Sequence, residues 1–444
     1  MRLGGLFLLL LVIAGCGKSS HPEPKSVADA RSYAQLDGLR RSPHQGLQAE
    51  LARLEDEQLT PHQLAATRKT TPAETMVAVR PDRLSVQAAL REAYPTLSRG
   101  MYQEQIERID PDGDWRIGPV ERELLRELIG RTEKHRERFR AALQQAENGF
   151  EIDPLVGPLA ELEFFEPLEL GCRLEGLLAV HYLADGEVAD AAQSLDWMLL
   201  ASERLAREPH VATRLLAAKM RAETLRLLQV IVKDSRCDAA TLEAASQRID
   251  QLLAQWPSDA QAWIGERASG LIVYEMVRDG HYLSLIDRQE VARLEKQHLL
   301  KTTARAVMGG IDEDQFFYLQ SLRKLIESCD RSYCERTAAI AAIHQELAAR
   351  ESTQRYPIVA AMLLDDVHTV QRRQAEDLAR SLAWRLALQI ATGKRPPMPP
   401  PQNPLTGQPF VVQTSPNGVR LSGILLEADE PIEIPFAGRE PIAP

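Results

Sequence analysis

Residues 159–233 read LAELEFFEPLELGCRLEGLLAVHYLA, DG, EVADAAQSLDWMLLASERLAR, EPH and VATRLLAAKMRAETLRLLQVIVK. In each long run Leu, Ala, Val and Ile recur at three- and four-residue spacing, the mark of a helix with one broad apolar stripe. The runs break where chain punctuation predicts, at Asp185-Gly186 and Glu208-Pro209. Three long helices on two short connections must run antiparallel and share a core.

The same texture extends outward on both sides. Upstream, helices are expected over Leu84–Ile109 and Val120–Glu147. In the second of these Leu124, Leu125, Leu128 and Ile129 form the apolar face, and the charge run Glu133–Arg138 forms a solvated one. Downstream, the expected helices are Ala239–Gln255, Ala260–Arg278, Arg288–Val307, Glu313–Ser328, Glu335–Ala349 and Ile358–Thr392. Ser258 or Asp259 is a natural N-cap at the Trp256–Asp259 break. No long alternating run of β-branched residues precedes residue 405. The expected fold class is therefore all-α: stacked antiparallel helical hairpins with a small β-hairpin at the C-terminal end.

Composition agrees. Of 444 residues 44% are hydrophobic and 26% charged, which are globular proportions rather than those of a disordered chain. The formal net charge of -10 argues against nucleic acid as a partner, which requires a basic footprint. The expected organisation is a signal segment at 1–15, a tether at 16–27, a helical body at 28–392, a Pro-rich linker at 393–404, and a β-hairpin with a mobile tail at 405–444.

The hairpin signal lies in FVVQT-SPNG-VRLSG, residues 410–423, where Asn417-Gly418 marks a turn between two short strands. Ile424, Leu425 and Leu426 are the candidate third strand. Around the Asp185-Gly186 break, Ala179, Tyr182, Gly186 and Ala191 resemble the small and aromatic positions of a tetratricopeptide helix pair, and Trp256–Trp263 resembles a junction between two such units. The departures are the bulky Leu195 and Met198 and the lack of a continuing 34-residue period. An irregular bundle places the same small residues at close helix contacts. Asn403, Pro404, Thr406, Gly407, Pro409 and Phe410 resemble the Asn/Asp-Pro-x-Thr/Ser-Gly-x-Pro-Leu/Phe tail of large helical secreted or lipid-anchored bacterial proteins. That resemblance implies an architecture and no activity.

At the other end, Met1-Arg2 precede an apolar stretch, Leu3–Ile13. It is too short for a membrane span of roughly 20 residues and has the form of a secretory signal. Ile13-Ala14-Gly15-Cys16 then resembles the lipobox of bacterial lipoproteins. The resemblance implies cleavage before Cys16, a thioether diacylglycerol on its sulfur and an acylated, palmitate-type amine. Several acyl chains anchor stably where one does not. Residues 17–27, GKSSHPEPKSV, read as the tether. The expected location is the cell envelope, on the outer membrane or a periplasmic face, with the lipid bilayer as first partner.

Four further cysteines remain, an even number in a compartment that permits disulfides. Cys329 and Cys334 are one candidate bridge and Cys172 and Cys237 another, with Cys172 as a buried free thiol the competing reading. No CxxC pair and no HExxH occurs, which removes the usual zinc patterns.

The sharpest site candidate is Asp110-Pro111-Asp112-Gly113-Asp114-Trp115-Arg116-Ile117-Gly118-Pro119-Val120-Glu121. Asp110, Asp112 and Asp114, the Arg116 carbonyl and Glu121 fall at calcium-ligand positions of an EF-hand loop. Trp115 stands where the loop's glycine is expected, and positive φ strains a bulky residue. An Asp-Gly turn followed by a helix opening at Pro119 accounts for the same residues. Asp312-Glu313-Asp314 reads as first-turn acid on a helix. Asp365 and His368 share a helical face at i,i+3 and could hold a metal only with partners from elsewhere.

No GxSxG, Walker or GxGxxG pattern is present, so no catalytic residue can be assigned. The expected function is a membrane-anchored helical scaffold or protein-binding module for an envelope protein or peptide. The alternatives are an envelope hydrolase in a helix-lined pocket and a calcium-stabilised spacer.

Overall fold

The computed structural model describes residues 44–64, 85–147, 149–150, 152, 162–279, 281, 292–293, 295–297, 310–350, 357–394, 401–426 and 431–436. The segment 1–15, Cys16, the tether and most of Arg288–Val307 lie outside the described residues.

The described chain is helical up to Ala391. In chain order the helices are α1 Gln45–Asp56, α2 Val86–Ala93, α3 Thr96–Ile109, α4 Pro119–Gln145, α5 Phe165–Asp185, α6 Val188–Ala206, α7 Val211–Lys233, α8 Ala239–Ala254, α9 Asp259–Arg278, α10 Ile311–Ser328, α11 Tyr333–Arg350, α12 Ile358–Leu364 and α13 Val367–Ala391. Three strands follow: β1 Val411–Ser415, β2 Gly418–Ser422 and β3 Ile432–Pro435. They form an antiparallel sheet in the order β1-β2-β3.

Helix ends follow local chemistry. Gly186 closes α5 in the left-handed region at φ 91, and the Glu187 N–H reaches back to the Tyr182 carbonyl, a Schellman closure. Asp238 caps α8 through the Thr241 N–H, and Ser258 caps α9 through the Ala260 N–H. Two expected helices are each divided in two. Pro95 has no N–H to donate and stands between α2 and α3. Asp365 and Asp366 separate α12 from α13.

Two apolar cores result. One gathers α2–α8, the C-terminal half of α13 and the inner face of the sheet. The other gathers α1, α9–α12, the N-terminal half of α13 and Leu405. Helix α13 runs through both, contributing Val370, Ala375 and Ala379 to one and Trp384, Ala387 and Leu388 to the other. A polar layer lies at the seam. Gln371, Gln374, Asp377 and Ser381 recur at helical spacing along α13 and are all buried. Arg221 of α7 meets Asp377 in a bidentate pair, with Nε 3.0 Å from each carboxylate oxygen. Its Nη1 donates to the Ser202 carbonyl at 3.3 Å, and its guanidinium lies 4.7 Å from the centre of the Trp256 ring. Arg336 of α11 spans from Asp259 at 2.8 Å to Gln371 at 3.0 Å.

Close helix contacts are made at glycines. A Cβ on Gly171 or Gly176 of α5 would strike Phe139 and Trp115, and one on Gly265 of α9 would strike the Pro209 carbonyl.

The C-terminal segment differs from expectation in three respects. The third strand is Ile432–Pro435, not Ile424–Leu426, because Ile424 is instead buried beside the sheet. Residues 431–436, expected within a mobile tail, pair with β2 and bury Ile432, Ile434 and Phe436. The two turn residues of the hairpin are Pro416 and Asn417, with Ser415 opposite Gly418. Gly418 is required by close approach, since a Cβ there would press on the Ile434 carbonyl.

The proline-containing motif before β1 locks the sheet to the body. Asn403 is fully buried; its Nδ2 donates to the Gly423 and Ile424 carbonyls at 2.9 Å, and its Oδ1 accepts from the Leu405 N–H. Gly407, at φ 70, donates to the Asn403 carbonyl, and the Tyr333 N–H donates to the Pro404 carbonyl. A segment read from composition as a linker is thus hydrogen-bonded on both sides in its described part, 401–404.

Candidate functional site

The loop Asp110–Glu121 does not gather its carboxylates. Among the described residues no group of three or more His, Cys, Asp and Glu side chains is placed to hold a metal ion. Asp110 is buried; it accepts from the Trp115 N–H at 3.3 Å and lies 3.5 Å from Arg173. Burial raises its pKa, and Arg173 opposes the shift. Asp114 turns to its own neighbour, accepting from the Arg116 N–H at 3.0 Å. Asp112 is exposed, and Glu121 lies in the first turn of α4, which opens at Pro119.

The expected obstacle at Trp115 is present and is accommodated. Both Gly113 and Trp115 adopt φ 65. The tryptophan is only 3% exposed and its ring covers Gly176 of α5. Burial of a large aromatic surface offsets the strain of positive φ. The loop therefore staples α3 and α4 onto α5.

Asp114 and Arg116 do reach a larger feature. A trough of about 820 Å³ runs between α7, α13 and the sheet. On α13 its wall is Arg372, Glu376, Arg380 and Trp384, a ridge at four-residue spacing about 18 Å long at 1.5 Å per residue. On α7 the wall includes Leu225, Arg226, Gln229 and Lys233, and Ile424, Leu425 and Ile432 complete it. Arg372 pairs with Glu376 and Lys233 with Glu433, each at 2.9 Å. Among the described residues Arg226 and Arg380 stand in no ion pair within 4 Å. A second, mainly apolar cleft of about 360 Å³ lies between α6, α7 and α8. Its Asp196 has a pKa raised by burial, and Arg248 at 3.6 Å opposes that shift. Arg248 also holds Glu203 at 2.5 Å, and the Glu203 charge adds to the rise at Asp196, so one cation stands between two carboxylates.

The cysteines correct the sequence reading. Cys172, Cys237, Cys329 and Cys334 are all free thiols, so neither the 329–334 nor the 172–237 bridge is formed. Cys329 closes α10 and donates to the Leu325 carbonyl at 3.2 Å. Cys334 is exposed and lies 3.0 Å from Ser332 Oγ. Burial pushes the Cys329 thiol up to about 12 and Cys172 well above the usual thiol range. Both are poor nucleophiles at neutral pH.

The acidic clusters also separate. Asp365 ends α12 and His368 belongs to α13, so the helical face expected to unite them is interrupted. His368 Nε2 instead meets the Tyr333 hydroxyl at 3.0 Å. Asp312 accepts from Arg278 at 2.7 Å. Asp314, in the first turn of α10, caps a different helix: it accepts from the Val359 and Ala360 N–H groups of α12 at 2.9 and 2.8 Å, and from the Tyr274 hydroxyl.

Complete burial lifts Asp314 to about 6, and those three donors restrain the rise. A carboxyl whose pKa is higher folded than unfolded adds stability in full below the unfolded value, 3.8, and loses it as pH rises through about 6. Between pH 7.5 and pH 5 the wild-type chain is expected to gain about 1 kcal/mol from this group. Urea denaturation at both pH values checks this. The gain should shrink by about that amount in Asp314→Asn, and an unchanged gain refutes the assignment.

Sequence reasoning did not find Asp314 as a cap for another helix, nor the Arg221–Asp377 pair. The signal for the pair was available in α13, where Gln371, Gln374, Asp377 and Ser381 repeat at helical period beside an apolar stripe.

No protein-family model, curated protein or solved structure matches the chain. Among the described residues no helix is long and apolar enough to cross a membrane.

Proposed function

We propose that this chain is a lipid-anchored, helical binding module of the bacterial cell envelope, which docks a segment of a partner protein along the trough between α7 and α13. The observation that carries the reading is the trough itself. Its lining combines the apolar Leu225, Trp384 and Ile432 with the cations Arg226 and Arg380. Such a surface suits a segment bearing both acidic and apolar side chains, since apolar contacts supply affinity and the cations supply orientation. The anchor rests on Ile13-Ala14-Gly15-Cys16, with the acyl chains holding the body at a membrane surface.

Two measurements test it. Cys16→Ser is expected to abolish incorporation of labelled palmitate and to move the chain from the membrane to the soluble fraction. Retention in the membrane fraction refutes the anchor. A photo-crosslinking residue in place of Arg226 is expected to give a discrete adduct in living cells, while one in place of Arg126, on the exposed face of α4, gives none. Equal labelling from both positions, or none from either, refutes the trough as the docking site.

A further inference from the structure

The sheet has two edges, and they are treated differently. On β3 the outer edge is closed by a side chain: Gln229 of α7 donates from Nε2 to the Glu433 carbonyl at 2.6 Å and accepts from the Glu433 N–H at 3.0 Å. Lys233 adds an ion pair to the Glu433 carboxylate. A side-chain amide thus replaces the missing strand.

Among the described residues, nothing pairs with the outer edge of β1. Ser415 faces Gly418 across a two-residue turn, Gln413 faces Arg420 and Val411 faces Ser422. The closing pair of such a hairpin exchanges both hydrogen bonds, and alternate pairs follow it. The N–H and C=O groups of Val412 and Thr414 therefore point away from β2, and they meet no partner among the described residues. All five residues of β1 are exposed, including Val411 at 51% and Val412 at 37%. Val412 and Thr414 lie on the same face as Leu421 and Val419, which are buried. The apolar underside of the sheet therefore continues to β1, where its residues are exposed.

Exposed edges are usually blunted by a charge, a proline, a bulge or a covering element. Val411-Val412-Gln413-Thr414-Ser415 has none of these within the strand. It is also complementary to itself. Laid antiparallel about a two-fold axis at Gln413, each Val412 exchanges both backbone hydrogen bonds with the partner's Thr414, and no charged side chain of one strand meets another. Arg420, the β2 neighbour of Gln413, is already paired with Glu433 at 3.3 Å.

We propose that β1 is a homodimerisation edge, at which two copies of this chain join antiparallel to make one continuous sheet. A contact of this size is smaller than a standard protein interface, so it forms where copies are concentrated and exchanges readily. The inference does not depend on the trough or on the lipid anchor, and the test removes Cys16 from consideration.

The full chain is prepared in a Cys16→Ser/Cys334→Ser background, leaving only the buried thiols, and a single cysteine is added. A non-hydrogen-bonded antiparallel pair has its Cα atoms about 4.5 Å apart, within disulfide reach. Gln413→Cys, on the axis, is expected to give a covalent dimer with oxidised glutathione, in an amount that rises with protein concentration. Val411→Cys faces the partner's Ser415, which sets the two introduced thiols roughly 13 Å apart at 3.3 Å per residue; it is expected to give at least tenfold less. Thr414→Pro removes only an outward N–H, which edge strands tolerate, and is expected to abolish the Gln413→Cys dimer. Val412→Lys serves the same purpose should the proline variant fold poorly. Equal cross-linking from positions 411 and 413, no dimer from 413, or a dimer insensitive to both edge variants overturns the proposal.

Discussion

Asp377→Ala is expected to lower folding stability by about 3–5 kcal/mol, because it leaves the Arg221 guanidinium charged, buried and without its counterion. Both members of the pair are almost fully buried, with side-chain exposures of 2% and 4%. The pair joins α7 to α13 where the two apolar cores meet, so neither water nor a neighbouring acid can readily take the lost place. Ser202 offers Arg221 one carbonyl and Trp256 a ring face, which together compensate only part of a full charge. Removing both charges is a different experiment. Arg221→Met/Asp377→Leu is expected to recover most of the loss, since well-packed apolar replacements of a buried pair are often neutral. Urea denaturation of the two single variants and the double variant gives the coupling. A single Asp377→Ala loss below about 1 kcal/mol, the size of an exposed ion pair, refutes this account.

The second large effect is expected at Gly265. This glycine of α9 faces the Pro209 carbonyl so closely that a Cβ would overlap the oxygen and its carbon. Beside Gly171 the atoms met belong to the Phe139 ring, whereas here they are backbone, and a backbone carbonyl moves only with its chain. Pro209 lies in the short connection between α6 and α7, so displacing it pulls on both helices. Gly265→Ala is expected to cost about 3 kcal/mol or more, at or beyond the upper end of ordinary overpacking. Gly130 in α4 is the control, since nothing lies within 4 Å of a Cβ there. Gly130→Ala is expected to stabilise by up to about 1 kcal/mol through helix propensity. Thermal denaturation should therefore move in opposite directions for the two alanines. A Gly265→Ala melting point equal to wild type would falsify the close-approach reading.

These positions show where sequence reading reaches its limit. Helix periods, caps and breaks are local properties, and Val211–Lys233 was legible at both ends because apolar spacing, a preceding Glu-Pro and a following Asp-Ser all agree. Pro95 was equally visible, yet the apolar pattern continues across it and masked the break between α2 and α3. The Asp110–Glu121 loop carries the right residue types for calcium in the right order. Spacing along the chain does not report that Asp110 turns inward toward Arg173 while Asp112 stays in water. The cysteines repeat the lesson, since spacing permits a 329–334 bridge while the Cys329 sulfur turns to the Leu325 carbonyl and the Cys334 sulfur lies beside Ser332 Oγ.

The sequence by itself determined an α-helical body, most of its punctuation and the short hairpin after residue 410. All of these depend on contacts or chemistry within about a dozen residues. Only the tertiary structure decided which faces meet: that α13 threads two cores, that Arg221 finds Asp377 across 156 positions, that Asp314 caps α12, and that one sheet edge is sealed by Gln229 while the other has no partner among the described residues. Those outcomes depend on pairs distant in the chain, where burial and hydrogen-bond satisfaction are settled by packing geometry that no local pattern records.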